Sequence, residues 1–167
     1  MNIYKKYIAE SLGTLFLVFI GAGTAVFYII SQLLGAVIAG FFLRFLFPDA
    51  VSTFHLGTCA LGKGVEFWKA LFIEAFMTFL FVFTIFAAAV GKRMPGAIAG
   101  VAIGLVYIFG ALVASSISGG ALNPARVFGP SVASGHFDYH FVWWLGPVSG
   151  GIGAVFLYDK IFCKKDI

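Results

Sequence analysis

Charge is what this chain has least of. Only 11% of its 167 residues are charged, against about 25% in soluble domains, and that excludes an ordinary water-soluble fold. Asparagine occurs twice, at Asn2 and Asn123, and glutamate three times. The two cysteines, Cys59 and Cys163, form no metal or redox motif, and no disulfide between them is expected. No carboxylate pair, nucleophile–base pair or metal-ligand cluster is visible, so no enzyme, cofactor or metal site is expected. The net charge of +4 gathers in no patch with interleaved aromatics, which excludes nucleic acid as a partner. A cleavable signal is not expected either: the first apolar run carries Glu10 near its start and no small-residue cleavage site before the next run.

What is present is hydrocarbon. The chain is 61% hydrophobic with a mean hydropathy of +1.02. Five apolar segments, at about 8–27, 28–47, 67–90, 96–116 and 141–162, are each long enough to cross roughly 30 Å of lipid. They are too long and unbroken for barrel strands, and a lipid-embedded backbone must satisfy its own hydrogen bonds, so they read as helices. The expected class is an all-α, polytopic membrane helix bundle of about five spans, with the lipid bilayer as its first partner. Rows of small residues at four-residue spacing (Gly96, Gly100 and Gly104; Gly146 and Gly150; Gly35 and Ala39) predict close helix approach. Residues 48–66 read as a connecting loop. Residues 117–140 are too polar for a span and too apolar for a simple loop, and they predict a segment that enters the membrane and returns.

The chain also resembles itself. At an offset of 64, Glu10 falls on Glu74, Thr14 on Thr78, and Val18 and Phe19 on Val82 and Phe83. At an offset of 114, Gly35 falls on Ser149, Ala36 on Gly150, Ala39 on Gly153 and Phe42 on Phe156. Internal repeats of this kind mark membrane channels and transporters. The offsets differ by fifty, so the first repeat lacks a stretch corresponding to Gly91–His140. The expected organisation is one membrane domain over 1–167. It comprises a truncated first repeat (1–47), the connecting loop (48–66) and a complete second repeat (67–162) with a re-entrant loop at about 117–135. Charge raises a conflict at the same place. Lys92 and Arg93, the C-terminal lysines, and Lys5 and Lys6 all ask for the cytoplasmic side, which two successive spans over 8–47 cannot satisfy. One span is missing, one terminus is inverted, or 8–47 is not two ordinary spans.

AESLGT near the start, YIISQLLGA at 28–36, IEAFMTF at 73–79, SGGALNPARVFGP and WWLGPVSGG resemble the aquaporins, the major intrinsic protein family, over nearly the whole chain. The resemblance implies a passive channel for water or small neutral solutes such as glycerol, assembled as a homotetramer in the plasma membrane. In that family six spans surround two half-helices, each beginning with Asn-Pro-Ala. Here only one Asn-Pro-Ala occurs, and the residues between GAGTA and YIISQLLGA that would carry a second span and the other motif are absent.

Residue chemistry agrees with a pore. Pro124 suits the first turn of a helix and Asn123 the cap before it, so a half-helix beginning with Asn123, Pro124 and Ala125 would aim its positive dipole end inward. Arg126 at membrane depth costs at least about 2.5–3.5 kcal/mol unless it meets water or protein. The alternatives are a surface helix cap and an arginine reaching to lipid headgroups. The resemblance places Arg126 at a selectivity filter with Ala111 and Gly120, both small, which implies a wide filter tolerant of linear polyols. It also implies that Glu10 and Glu74 brace the two re-entrant loops; a proton relay is the alternative role. Two functional readings stand: a passive channel, and a non-conducting truncated paralogue or assembly subunit.

Overall fold

The structure, a computed structural model, describes the backbone of residues 3–90 and 95–162, and the side chains of residues 25–90 and 95–162. Helix α1 spans Ile3–Leu46, α2 is a single turn at Ala50–Thr53, and a 3₁₀ turn follows at His55–Gly57. Then come α3 (Phe67–Ile85), which widens into a π turn over Phe86–Val90, α4 (Gly96–Ser118), α5 (Pro124–Ser134) and α6 (Val142–Phe162). No strand occurs among the described residues, and the all-helical class holds.

The largest departure from the sequence reading is at the front. The segments 8–27 and 28–47 are not two spans but one helix of 44 residues, about 66 Å long at 1.5 Å per residue. The physical reason is local. GAGTAVFYII contains no proline and no polar turn cluster, and the first proline, Pro48, comes only where the helix ends. Residues 25–46, 67–90 and 96–118 are long and apolar enough to cross a membrane. Helix α6 has the length, at 21 residues, but Pro147, four glycines and Asp159–Lys160 dilute its apolar character.

Helix α3 is the centre of the second half, packing along α6 on one side and α4 on another, while α1 packs on α5 and the 55–57 turn. The α3–α6 contact is backbone-close because α6 offers glycines. A methyl at Gly150 would collide with the Ala75 carbonyl, and one at Gly146 would lie 2.8 Å from the Glu74 Cβ. The α1–α5 contact is equally close but one residue out of the expected register. Gly35 faces open space, whereas Gly40 meets the Gly129 carbonyl and Gly129 meets Ala36. Arg44, in the last turn of α1, donates to the Ala133 carbonyl at 2.7 Å near the C-terminal end of α5, where helix carbonyls lack intrahelical partners. The row Gly96, Gly100 and Gly104 on α4 touches nothing within 4 Å of its would-be Cβ positions.

Candidate functional site

The link from α4 to α5 is five residues long, and its shape is set by a buried carboxylate. Gly119 caps α4 in the left-handed region (φ 84°), its N–H donating to the Ser115 carbonyl at 3.1 Å. Gly120 (φ 64°) lies so close to Ala111 that any side chain would strike the Ala111 carbonyl. Leu122 is also left-handed (φ 55°), a conformation that costs a branched residue of order 1 kcal/mol and needs outside support. Glu74 on α3 supplies it. One carboxylate oxygen accepts from Ser118 Oγ at 2.6 Å and from the Ala121 N–H at 2.9 Å; the other accepts from the Leu122 N–H at 2.8 Å. Trp143 Nε1 donates to the Ser118 carbonyl at 2.9 Å. Glu74, Ser118 and Trp143 are all fully buried, so these bonds are exchanged in a dry setting where leaving any of them unmade is expensive.

Asn123 then turns the chain into α5. Its backbone is extended (φ −153°, ψ 123°), its side-chain oxygen accepts from the Ala125 N–H at 2.9 Å, and Pro124 occupies the first helical position. The Asn123 amide NH₂ makes no hydrogen bond among the described residues and the side chain is exposed. Three cavities follow one another past this point. One of about 400 Å³ has Asn123, Pro124, Gln32, Thr78 and Tyr107 in its wall. A second of about 200 Å³ shares Asn123, Pro124 and Gln32 and adds Ala125 and Trp144. A third of about 420 Å³ shares Ala125 and is lined by Arg126, Pro130, Ala36, Gly40 and Gly57.

Arg126 reaches from α5 to the loop before α3, donating from Nη1 to Cys59 Sγ at 2.7 Å and to the Gly57 carbonyl at 3.4 Å. Burial pushes the Cys59 thiol up to about 11, against the opposing pull of the Arg126 charge and with a smaller push from Glu74, so at neutral pH the sulfur is an uncharged acceptor. Cys59 also packs beneath Gly119, where a Cβ would sit 3.0 Å from its sulfur. Sequence reasoning weighed this cysteine only for a metal or redox motif and as a disulfide partner. Its role rests on a contact across 67 residues that no local pattern announces.

The structure thus brings Asn123, Pro124, Ala125 and Arg126 onto one row of cavities. Ala111 and Gly120 pack on each other and do not line the cavity at Arg126. Glu74 meets the re-entrant backbone, while the Glu10 side chain lies outside the described residues. Trp143 is buried although it opens an apolar run, where a tryptophan could equally sit at a membrane surface. Around it His140 lies among Phe128, Phe137 and Trp144, its Nδ1 3.5 Å from Ser131 Oγ, and burial holds its pKa below the ordinary 6.5. His55 and His136 stack face to face, with ring centroids 3.9 Å apart.

Comparison with known proteins matches residues 23–158 to the family model of the major intrinsic proteins. The chain is 38% identical over 146 residues to Aquaporin-4 of Bos taurus, covering 86% of this chain and 45% of that one. It is 40% identical over 141 residues to Aquaporin TIP2-1 of Arabidopsis thaliana, covering 83% and 55%. Against Probable aquaporin-5 of Gibberella zeae it is 42% identical over 135 residues, covering 80% and 24%. The chain spans about half the length, or less, of these curated relatives.

Proposed function

The chain belongs to the major intrinsic protein family, and from that premise we propose that it is a passive channel for water and small neutral solutes such as glycerol. The observation that carries this reading is the row of three cavities running past a half-helix capped by Asn123 to Arg126. A solute oxygen near Asn123 meets a free side-chain NH₂ and the positive end of the α5 dipole, both favourable to an oxygen lone pair. Farther along, the Arg126 guanidinium offers donors to a neutral solute and repels cations, and together with the helix dipole it opposes proton passage. Asn123, Pro124 and Ala125 are proposed as pore residues, Arg126 as the filter, and Glu74 and Glu10 as braces of the re-entrant backbone.

The continuous α1 supports one orientation in a plasma membrane. With a single crossing each for α1, α3, α4 and α6, the start of α1, the α3–α4 link and the end of α6 share one side, and in sequence Lys5, Lys6, Lys92, Arg93, Lys160, Lys164 and Lys165 lie in or next to those stretches. Only Arg44, Lys63 and Lys69 fall at the other. The richer end is cytoplasmic by the positive-inside rule, and the Arg126 cavity opens toward the outside. A homotetramer is the expected assembly.

A second reading is favoured by one observation. There is a single Asn-Pro-Ala, and Asn123 is exposed, so a lone chain has one walled side of a pore; a non-conducting paralogue or assembly subunit would look the same. Stopped-flow light scattering of proteoliposomes under sorbitol and glycerol gradients separates the two. Water and glycerol permeabilities well above those of empty liposomes are expected, and permeabilities equal to empty liposomes would sink the channel in favour of the second reading.

A further inference from the structure

Arg126 is the one charged residue lining the cavity of about 420 Å³, yet nothing charged holds it. The only ion pair among the described residues joins Lys69 and Glu66, so none of their carboxylates lies within 4 Å of the guanidinium. Its Nη1 donates instead to two uncharged acceptors, Cys59 Sγ at 2.7 Å and, at a longer 3.4 Å, the Gly57 carbonyl. Nε and Nη2 make no hydrogen bond among the described residues, which leaves three of the five guanidinium donors unspent. The sulfur itself is firmly placed. Cys59 is 3% exposed and packs in one apolar cluster with Ala121, Val127 and Trp143. It also lies under Gly119, beside the stretch that Glu74 and Trp143 tie. Three residues past it, the Gly62 N–H donates to the Ile117 carbonyl at 2.9 Å and pins the loop to the same end of α4. Before it, His55, Leu56 and Gly57 are all left-handed (φ 46°, 55° and 76°), a strained run that needs outside support. Burial of Leu56 and the stack of His55 on His136 supply that support.

We propose that Cys59 is a positioning residue for the filter: its thiol fixes the Arg126 guanidinium against the loop as an uncharged acceptor. The charge therefore stays uncancelled, and Nε and Nη2 stay available to a passing solute. The two obvious replacements would each forfeit one of these properties. A carboxylate at this position would take Arg126 in a charge-assisted pair and cancel the positive field that opposes cations. A hydrocarbon would leave Nη1 without its partner and return rotamer freedom to a long side chain. A thiol does neither, because it is a small apolar body that suits the cluster and carries a weakly accepting sulfur. It also stays neutral where it sits, since burial pushes it up to about 11. The filter is thereby fastened to the braced re-entrant link: Glu74 and Trp143 hold Ser118–Leu122, Gly119 seats Cys59, and Cys59 seats Arg126. The effect on conduction rests on the channel reading above; the hold on the guanidinium does not.

The test reads the guanidinium and the conduction separately. The chain has three arginines, Arg44, Arg93 and Arg126, so side-chain nitrogen NMR of the arginine-labelled full chain in nanodiscs resolves Arg126, assigned through Arg126→Lys. Slow rotation about Cζ–Nε, with separate Nη1 and Nη2 signals, is expected in the wild type and in Cys59→Ser, which keeps an acceptor. Averaged signals are expected in Cys59→Val, which nearly keeps the volume. In proteoliposomes, glycerol permeability is expected to fall about three- to tenfold in Cys59→Val, the scale of one hydrogen bond in the barrier, and to recover in Cys59→Ser. Proton flux is expected to stay at the wild-type level in both, because the Arg126 charge is untouched. A merely structural role would show a proton leak and no recovery with serine. Should Cys59→Val fail to fold by circular dichroism, Cys59→Ala carries the same comparison. Separate Nη signals in the valine variant, or wild-type glycerol permeability in it, overturn the proposal. Averaging in Cys59→Val alone, from a protein that leaves liposomes impermeable, upholds the hold on Arg126 and sinks the channel.

Discussion

Helices α6 and α4 both flank α3, and both carry glycines four residues apart. On α6 the pair Gly146 and Gly150 is pressed into α3 at backbone distance; on α4 the row Gly96, Gly100 and Gly104 meets nothing. Large apolar side chains around that row, among them Val101, Leu105 and Ile108, are exposed as well. In lipid there is no hydrophobic drive between helices, so association comes from van der Waals contact and polar bonds. Glycine spacing therefore permits close approach without dictating it. What distinguishes the α6 face is its position opposite Glu74, whose carboxylate ties the re-entrant backbone, and beside Trp143, whose indole ties the same backbone from α6. Glu74 from α3 and Trp143 from α6 thus converge on one stretch, Ser118–Leu122, and no such tie is made near Gly96–Gly104 among the described residues.

That contrast can be broken most severely at Glu74. Replacing it with alanine leaves the Ala121 and Leu122 N–H groups buried and unpaired and the Ser118 hydroxyl with only its longer bond to the Ala114 carbonyl at 3.3 Å, a loss of at least about 2 kcal/mol. Unfolding in graded sodium dodecyl sulfate, followed by circular dichroism, is expected to show a protein unfolded under conditions that leave the wild type intact. Next in size is Gly150→Ala, which drives a methyl into the Ala75 carbonyl and forces α6 off α3; a loss of about 1–3 kcal/mol is expected in the same titration. Gly100→Ala sharpens the comparison with the opposite sign. With open space at its Cβ, alanine adds helix propensity and is expected to stabilise by up to about 1 kcal/mol. A loss at Gly100 instead would show that the α4 face is covered by another subunit, and cross-linking would reveal that assembly.

The smallest effect lies at the edge of the closed side, in His140. Its folded pKa is depressed by burial below 6.5, so the unfolded chain binds the proton first as the solution is acidified. The associated stability is present above about pH 6.5 and is lost as pH falls through the folded value. Because the ring is partly exposed, the change is expected to stay under about 1 kcal/mol. Melting temperatures of wild type and His140→Phe between about pH 8 and about pH 5 would measure it. The wild type is expected to lose more on acidification, and parallel curves would remove His140 as the cause.

Much of the fold was legible because lipid leaves a chain few options. Long apolar runs had to be helices, and Asn123-Pro124 could be read as a cap and first turn because those residues act through bonds two positions away. The repeat drew attention to Glu74 because a carboxylate in an apolar run is rarely neutral to function. Its partners were not legible: Ser118, Ala121 and Leu122 lie 44 to 48 residues on. Nor was the contact of Arg126 with Cys59, nor the burial of Trp143, since an indole next to an apolar run looks the same at a membrane surface as in a core. The two-span reading of 8–47 failed for a related reason. Length alone divided it, and nothing in the local chemistry breaks a helix there.

By itself, the amino-acid sequence determined that this protein is a helical membrane protein with a self-capped helix start at Asn123-Pro124, because composition, periodicity and capping act over short range. Only the tertiary structure decided which glycine faces close, which donors the Glu74 carboxylate satisfies, and which scattered polar side chains share a cavity. Those outcomes depend on contacts between helices far apart in the chain, where packing geometry selects among partners that the local sequence treats as equal.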